Sequence, residues 1–188
     1  MSDQKQNLYF IALIPHMELR EQIDILKKEM QERFNAKHAL KSPAHITLQM
    51  PFRIHKNAEV SLIEILEKAA TNQNTFELKL SGFDCFSPRV IFVKVVNHDP
   101  IIPVHEKLIC LLRENLELGE KVLSPNIHPH MTIATRDLSP ENFKLAWNEF
   151  KNKVFEGSFL CKSLFLLKHN GKQWDIYREF QFTSLEQV

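Results

Sequence analysis

The chain has 188 residues, 44% of them hydrophobic, with 24 basic and 23 acidic side chains for a net charge of +1. That is enough apolar chain for one sizeable core, and the balanced charge argues against a protein that grips long nucleic acid by bulk electrostatics. A small phosphate ligand in a local basic groove remains compatible with it.

Residues 1–7 are polar and are expected to fray. LYFIALIP, residues 8–15, is an apolar run of strand length closed by Pro15, which predicts a buried strand. No signal peptide or membrane span is read in this N-terminal stretch, and a soluble cytoplasmic protein is expected. Residues 18–34 place Leu19, Ile23, Leu26, Met30 and Phe34 at helical spacing. After a loop over 35–43, PAHITLQMPF predicts a strand at about 44–52. Residues 58–71 are helical, with Leu62, Ile63, Leu66 and Ala70 inward.

From residue 75 the period changes to two, with Phe76, Leu78 and Leu80 alternating with polar residues. GFDCFSPR reads as a turn-containing connection into a strand at 90–96, and so short a link favours antiparallel pairing. A helix over 101–117 buries Val104, Leu108, Leu111 and Leu112, and HPHMTIATR supplies a strand at about 129–135. Ser139-Pro140 is a capped helix start, with Phe143, Ala146 or Trp147, Phe150 and Val154 on its buried side. Two strands, about 158–168 and 173–182, close the chain around Asn170-Gly171, a strong hairpin signal. Nothing marks an internal boundary, so residues 1–188 are read as a single bilobal domain.

One local pattern occurs twice. His45-Ile46-Thr47 and His130-Met131-Thr132 each follow a Ser-Pro pair, Ser42-Pro43 and Ser124-Pro125, and each copy is followed by a helix and then by a pair of strands. In a strand, residues two apart share a face. Each copy therefore presents an imidazole and a hydroxyl together while Ile46 and Met131 point into a core. A lone His-x-Thr is an ordinary strand sequence. Two copies in matching contexts instead predict two similar lobes sharing one cleft. Facing imidazoles can act as base and acid in one step near neutral pH, and two threonine hydroxyls can donate to the oxygens of a phosphate between them. Such a site needs no metal and no cofactor.

These paired motifs resemble the signature of the two-histidine phosphoesterase superfamily, and the chain is most similar to its 2′-5′ RNA ligase-like (LigT-type) branch. The resemblance runs over almost the whole chain, including the opening YFIAL strand and the closing hairpin. It implies a duplicated α+β fold of mostly antiparallel sheets flanked by helices, with one His-x-Thr strand per lobe facing a central groove. It also implies metal-independent hydrolysis of cyclic phosphodiesters at RNA ends or on small nucleotides, with reversible 2′-5′ joining in some members. His45, Thr47, His130 and Thr132 are then the catalytic set. Many members carry an arginine five positions after the second histidine, where this chain has Thr135 and places Arg136 one later. Counting by twos from each histidine makes Arg53 and Arg136 the candidates for substrate contact.

Two other readings stand beside this one. The same cleft could bind an RNA end or nucleotide phosphate without turnover, although loss of one histidine would be expected in that case. His128 lies on the face of His130, so a metal-dependent hydrolase is the other alternative, but only scattered candidates such as His55 and His105 could complete a ligand set. His16, His38, His98 and His169 read as surface residues. Cys85, Cys110 and Cys161 read as reduced core residues. Trp174, Ile176, Phe180 and Phe182 are expected on one face of the last strand and Tyr177 on the other, and a monomer is expected.

Overall fold

The computed structural model describes residues 6–119 and 121–184. Their elements run β1 (Gln6–Leu13), α1 (Met17–Phe34), β2 (Ile46–His55), α2 (Glu59–Ala70), β3 (Phe76–Phe86), β4 (Val90–Val95), α3 (Ile101–Asn115), β5 (His130–Ala134), α4 (Pro140–Phe150), β6 (Glu156–Cys161), β7 (Ser163–His169) and β8 (Trp174–Gln181). Two antiparallel four-stranded sheets result, ordered β2-β1-β7-β8 and β5-β4-β3-β6.

The apolar run of β1 explains its inner position. Tyr9 to Leu13 are all buried, which requires cover on both faces of the strand. One face joins the main core, and the other carries a small cluster of Phe10, Ala12, Ile14 and Leu167. The helices take opposite sheets. α2 packs on α3 and against β7 and β8, while α1 crosses over to pack on β5, β6 and α4. The predicted stripe of α1 is buried throughout, and it also includes Lys27. α4 begins as expected, with Ser139 Oγ accepting from the Asn142 N–H at 3.2 Å and proline in the first turn.

The structure corrects the sequence reading in several places. Residues 158–168 are two strands, because at Lys162 the chain passes from β3 in one sheet to β1 and β8 in the other. The lobes are therefore not sequence halves, since β7 and β8 complete the sheet begun by β1 and β2. GFDCFSPR does contain a turn, at Ser87-Pro88-Arg89, but its first five residues are the second half of β3. Gly82, in the left-handed region at φ 63°, accommodates an extra residue there and the strand continues. Gln6 and Asn7 already belong to β1, and the expected fraying of residues 1–5 lies outside the described residues. Val154 is 83% exposed because α4 ends at Phe150. Cys110 lies exposed on α3, so only Cys161 is a fully buried thiol. A bulge between Leu166 and Leu167 shifts the parity of β8: Trp174 packs on Phe10, whereas Phe180 joins the main core. Among the described residues, no helix is long and apolar enough to cross a membrane.

Candidate active site

β2 and β5 occupy equivalent places, each at the edge of its sheet beside a strand whose phenylalanine supports it, and the two strands touch where the sheets meet. Ile46 and Met131 are fully buried, and each contributes about 2 kcal/mol of burial that a one-residue slip of its strand would forfeit. That anchoring turns the alternate positions outward. His45, Thr47, His130 and Thr132 all line one cavity of about 340 Å³ between the sheets, a volume suited to a small ligand.

The two imidazoles are held in the same way. Nδ1 of His45 lies 2.7 Å from the carbonyl oxygen of Pro43, and Nδ1 of His130 lies 2.6 Å from that of His128. A carbonyl only accepts, so each Nδ1 carries the proton and each Nε2 is left with a lone pair when the ring is neutral. Each ring also leans on a phenylalanine of the neighbouring strand, His45 on Phe10 at 4.8 Å and His130 on Phe92 at 4.8 Å. These apolar walls strip water from the rings. Burial lowers the pKa of His45 to about 4, against the Pro43 carbonyl, and the charges of Lys27 and His130 push it the same way. Burial also lowers His130, opposed by the His128 carbonyl and reinforced by the His128 ring.

Lys27 is the unexpected member of this arrangement. It is 1% exposed, and its Nζ donates to the Ser42 carbonyl at 2.9 Å and pairs with Asp24 at 3.0 Å. It thus fastens the segment whose next carbonyl orients His45. Its place one turn after Ile23 on the apolar stripe of α1 was the signal for it in the sequence. Gln49, also buried, plays a matching part for the other lobe. Its side chain donates to the Val122 carbonyl at 2.9 Å, tying β2 to the loop before His130.

Arg53 and Arg136 fare differently. β2 carries two one-residue irregularities between its pairings with Tyr9, Ile11 and Ala12, and together they restore the alternation. Phe52 and Ile54 are buried as Ile46 and Leu48 are, so Arg53 keeps the face of Thr47 but near the far end of the strand. Arg53 is exposed and is not among the cavity-lining residues. β5 stops at Ala134, yet Arg136 still reaches the cavity because the chain turns at a left-handed φ of 56°. His38, expected as a surface residue, also lines the cavity, as does Lys41, from the 3₁₀ turn His38–Lys41. At the aromatic side of the cavity stand Phe10 and Trp174, packed edge to face at 4.6 Å, and Phe86.

His128 lies with its ring centre 5.9 Å from that of His130 and 6.3 Å from that of His98. Among the described residues, no group of three His, Cys, Asp or Glu side chains is placed to hold a metal ion. His105 sits buried in α3, and His55 ends β2 away from the cavity.

Two lobes thus share one cavity between matching edge strands in a bilobal α+β fold. Residues 15–173 match the model of the 2′-5′ RNA ligase superfamily, and the chain belongs to that superfamily. A protein of Geobacillus sp. (strain WCH70), named provisionally as a phosphoesterase, is 27% identical over 184 residues, covering 95% of this chain and 98% of that one. A similarly named protein of Halalkalibacterium halodurans is 24% identical over 182 residues, covering 95% and 99%. E. coli LigT, solved with 3′-AMP, has the same fold with a TM-score of 0.71 at 17% identity, covering 96% of this chain and all of that one. LigT has also been solved with ATP, NADP+ and phosphate.

Proposed function

We propose that this protein hydrolyses 2′,3′-cyclic phosphodiesters at RNA ends or on small nucleotides, using His45 and His130 as base and acid without a metal. The observation that carries this reading is the duplicated Nδ1-to-carbonyl hold, which leaves both Nε2 atoms uncommitted on rings that line one cavity with two threonines. His45, the ring driven down to about 4, stays unprotonated at neutral pH and takes the proton of the attacking water. The water oxygen bonds to phosphorus as the bond to the ribose 3′ oxygen breaks. His130 gives that departing oxygen its proton, and a 2′-phosphate remains, as the family resemblance implies. The bound phosphate's negative charge favours the protonated form of a neighbouring imidazole, which offsets the desolvation of His130. Thr47 and Thr132 donate to the phosphoryl oxygens, where charge concentrates in the transition state. Ligands of LigT such as 3′-AMP and NADP+ are phosphate-bearing nucleotides, which supports the substrate class.

The test is incubation with adenosine 2′,3′-cyclic phosphate and with an RNA oligomer ending in a 2′,3′-cyclic phosphate, followed by phosphorus NMR. A 2′-monophosphate product from either substrate is expected. Tight binding of both with no product would leave a phosphate-binding protein in place of an enzyme.

A further inference from the structure

The hydrolytic reading leaves one wall of the cavity without a role. Three potentially cationic side chains stand there: His38 and Lys41 from the turn after α1, and Arg136 from the loop after β5. Among the described residues, neither Lys41 nor Arg136 forms an ion pair. Exposed cations alone would mean little, but two features show this wall to be built. Arg136 holds a left-handed φ of 56°, a conformation that non-glycine residues adopt rarely and that gathers at functional sites. The adjacent carboxylate of Asp137 accepts from the backbone N–H groups of Lys37 at 3.1 Å and His38 at 3.2 Å. Asp137 thereby rivets the two loops together.

The charges also sense one another. His38 is pushed down in pKa first by burial and then by Arg136 and Lys41, with Asp137 opposing. Phe10 and Trp174 supply an apolar wall elsewhere in the same cavity. The cavity therefore offers three environments: paired histidines and threonines, an aromatic wall and a cationic wall.

We propose that His38, Lys41 and Arg136 form a subsite for a second phosphate group of the substrate, the one carried on the 5′ oxygen of the terminal nucleotide. The proposal rests on the reading that the paired histidines hold the first phosphate. Within one nucleotide only the ribose separates these two phosphates, so one cavity of about 340 Å³ receives both. Arginine and lysine unpaired with carboxylates are suited to phosphate oxygens. The preferred substrate is accordingly a nucleotide with its 5′-phosphate, or the end of an RNA chain, rather than a nucleoside cyclic phosphate with a free 5′ hydroxyl.

Calorimetry with adenosine 2′,5′-bisphosphate and adenosine 2′-monophosphate tests this without requiring turnover. The wild-type protein should bind the bisphosphate at least about tenfold more tightly, the worth of one charge-assisted hydrogen bond. The advantage should shrink as salt rises and collapse in Lys41→Ala and Arg136→Ala. Because each variant is compared with itself on two ligands, a general loss of affinity cancels. A dinucleotide with the same 2′-phosphate end distinguishes the source. If it shares the advantage, the subsite reads the linking phosphodiester of RNA; if only the bisphosphate gains, it reads a terminal 5′-phosphate. Equal wild-type affinity for the two adenosine ligands overturns the proposal, as does an advantage undiminished in both variants. A bisphosphate preference without hydrolysis of any cyclic phosphate would retain the subsite and remove the hydrolytic reading. Hydrolysis with no such preference would do the reverse.

Discussion

Replacing His45 with asparagine should change how the protein's stability depends on pH. In the folded protein His45 is held near 4 by burial, then by Lys27 and His130, whereas in the unfolded chain it titrates near 6.5. As pH falls below 6.5 the unfolded chain takes up a proton that the folded one refuses, so stability declines until His45 itself titrates near 4, and is unaffected above 6.5. A shift of that size corresponds to a loss of up to about 3 kcal/mol over the window; solvent reaching the half-buried ring makes this an upper limit. Urea unfolding of wild type and His45→Asn from pH 7.5 to 4 measures it. The variant should keep the part of the acid sensitivity due to His130, whose pKa is also lowered, and lose the rest. Parallel stability curves for the two proteins would show that His45 is not desolvated, and the assignment of His45 as base would fall with it.

The pH profile of kcat/KM should be bell-shaped with its optimum on the acid side of 6.5, because both histidines are lowered and the limbs report the pair's apparent values; an optimum well above 7 contradicts this. Lys27→Met removes a buried charge that depresses His45, so its acidic limb should move to higher pH and kcat should fall while KM holds; an unmoved limb in a folded variant refutes the coupling. Thr47→Val or Thr132→Val should raise the barrier by about 2–4 kcal/mol, as for one lost oxyanion donor, without altering the profile's shape. Loss of activity accompanied by a shifted pH limb would give the threonines another role.

Much of this site is legible in the sequence because its cause is local. The alternation of His45-Ile46-Thr47 needs only a strand and a core on one side, and both conditions hold in each copy. The same logic put Arg53 on the face of Thr47 but not at the cavity, because alternation says nothing of how far along β2 the cavity reaches. It placed Arg136 by the wrong route, since the chain turns there instead of extending. His38 and Lys41 carry no periodic signal, and their turn is set beside the cavity by its packing on α1 and β5 together with the clamp by Asp137. The sheet partnership of β7 was equally hidden. A run from 158 to 168 reads as one strand because a switch between sheets at a single residue leaves no mark in hydrophobicity. Lys27 was visible in principle, as a charge on an apolar stripe, but its partner is a backbone carbonyl that no sequence pattern displays.

The central claim is that two histidines, and no metal, carry the chemistry. The measurement that tests it most directly is the turnover of a 2′,3′-cyclic phosphate substrate, with chelator in excess, by wild type, His45→Ala, His130→Ala and the double variant, after circular dichroism has verified that each is folded. Wild-type activity should survive the chelator, and each single variant should lose at least roughly 10²-fold in kcat. The double variant should fall far less than the product of the two losses, because the pair acts as a unit. Near wild-type turnover in either folded single variant would contradict the account, as would activity abolished by chelator and restored by zinc or manganese.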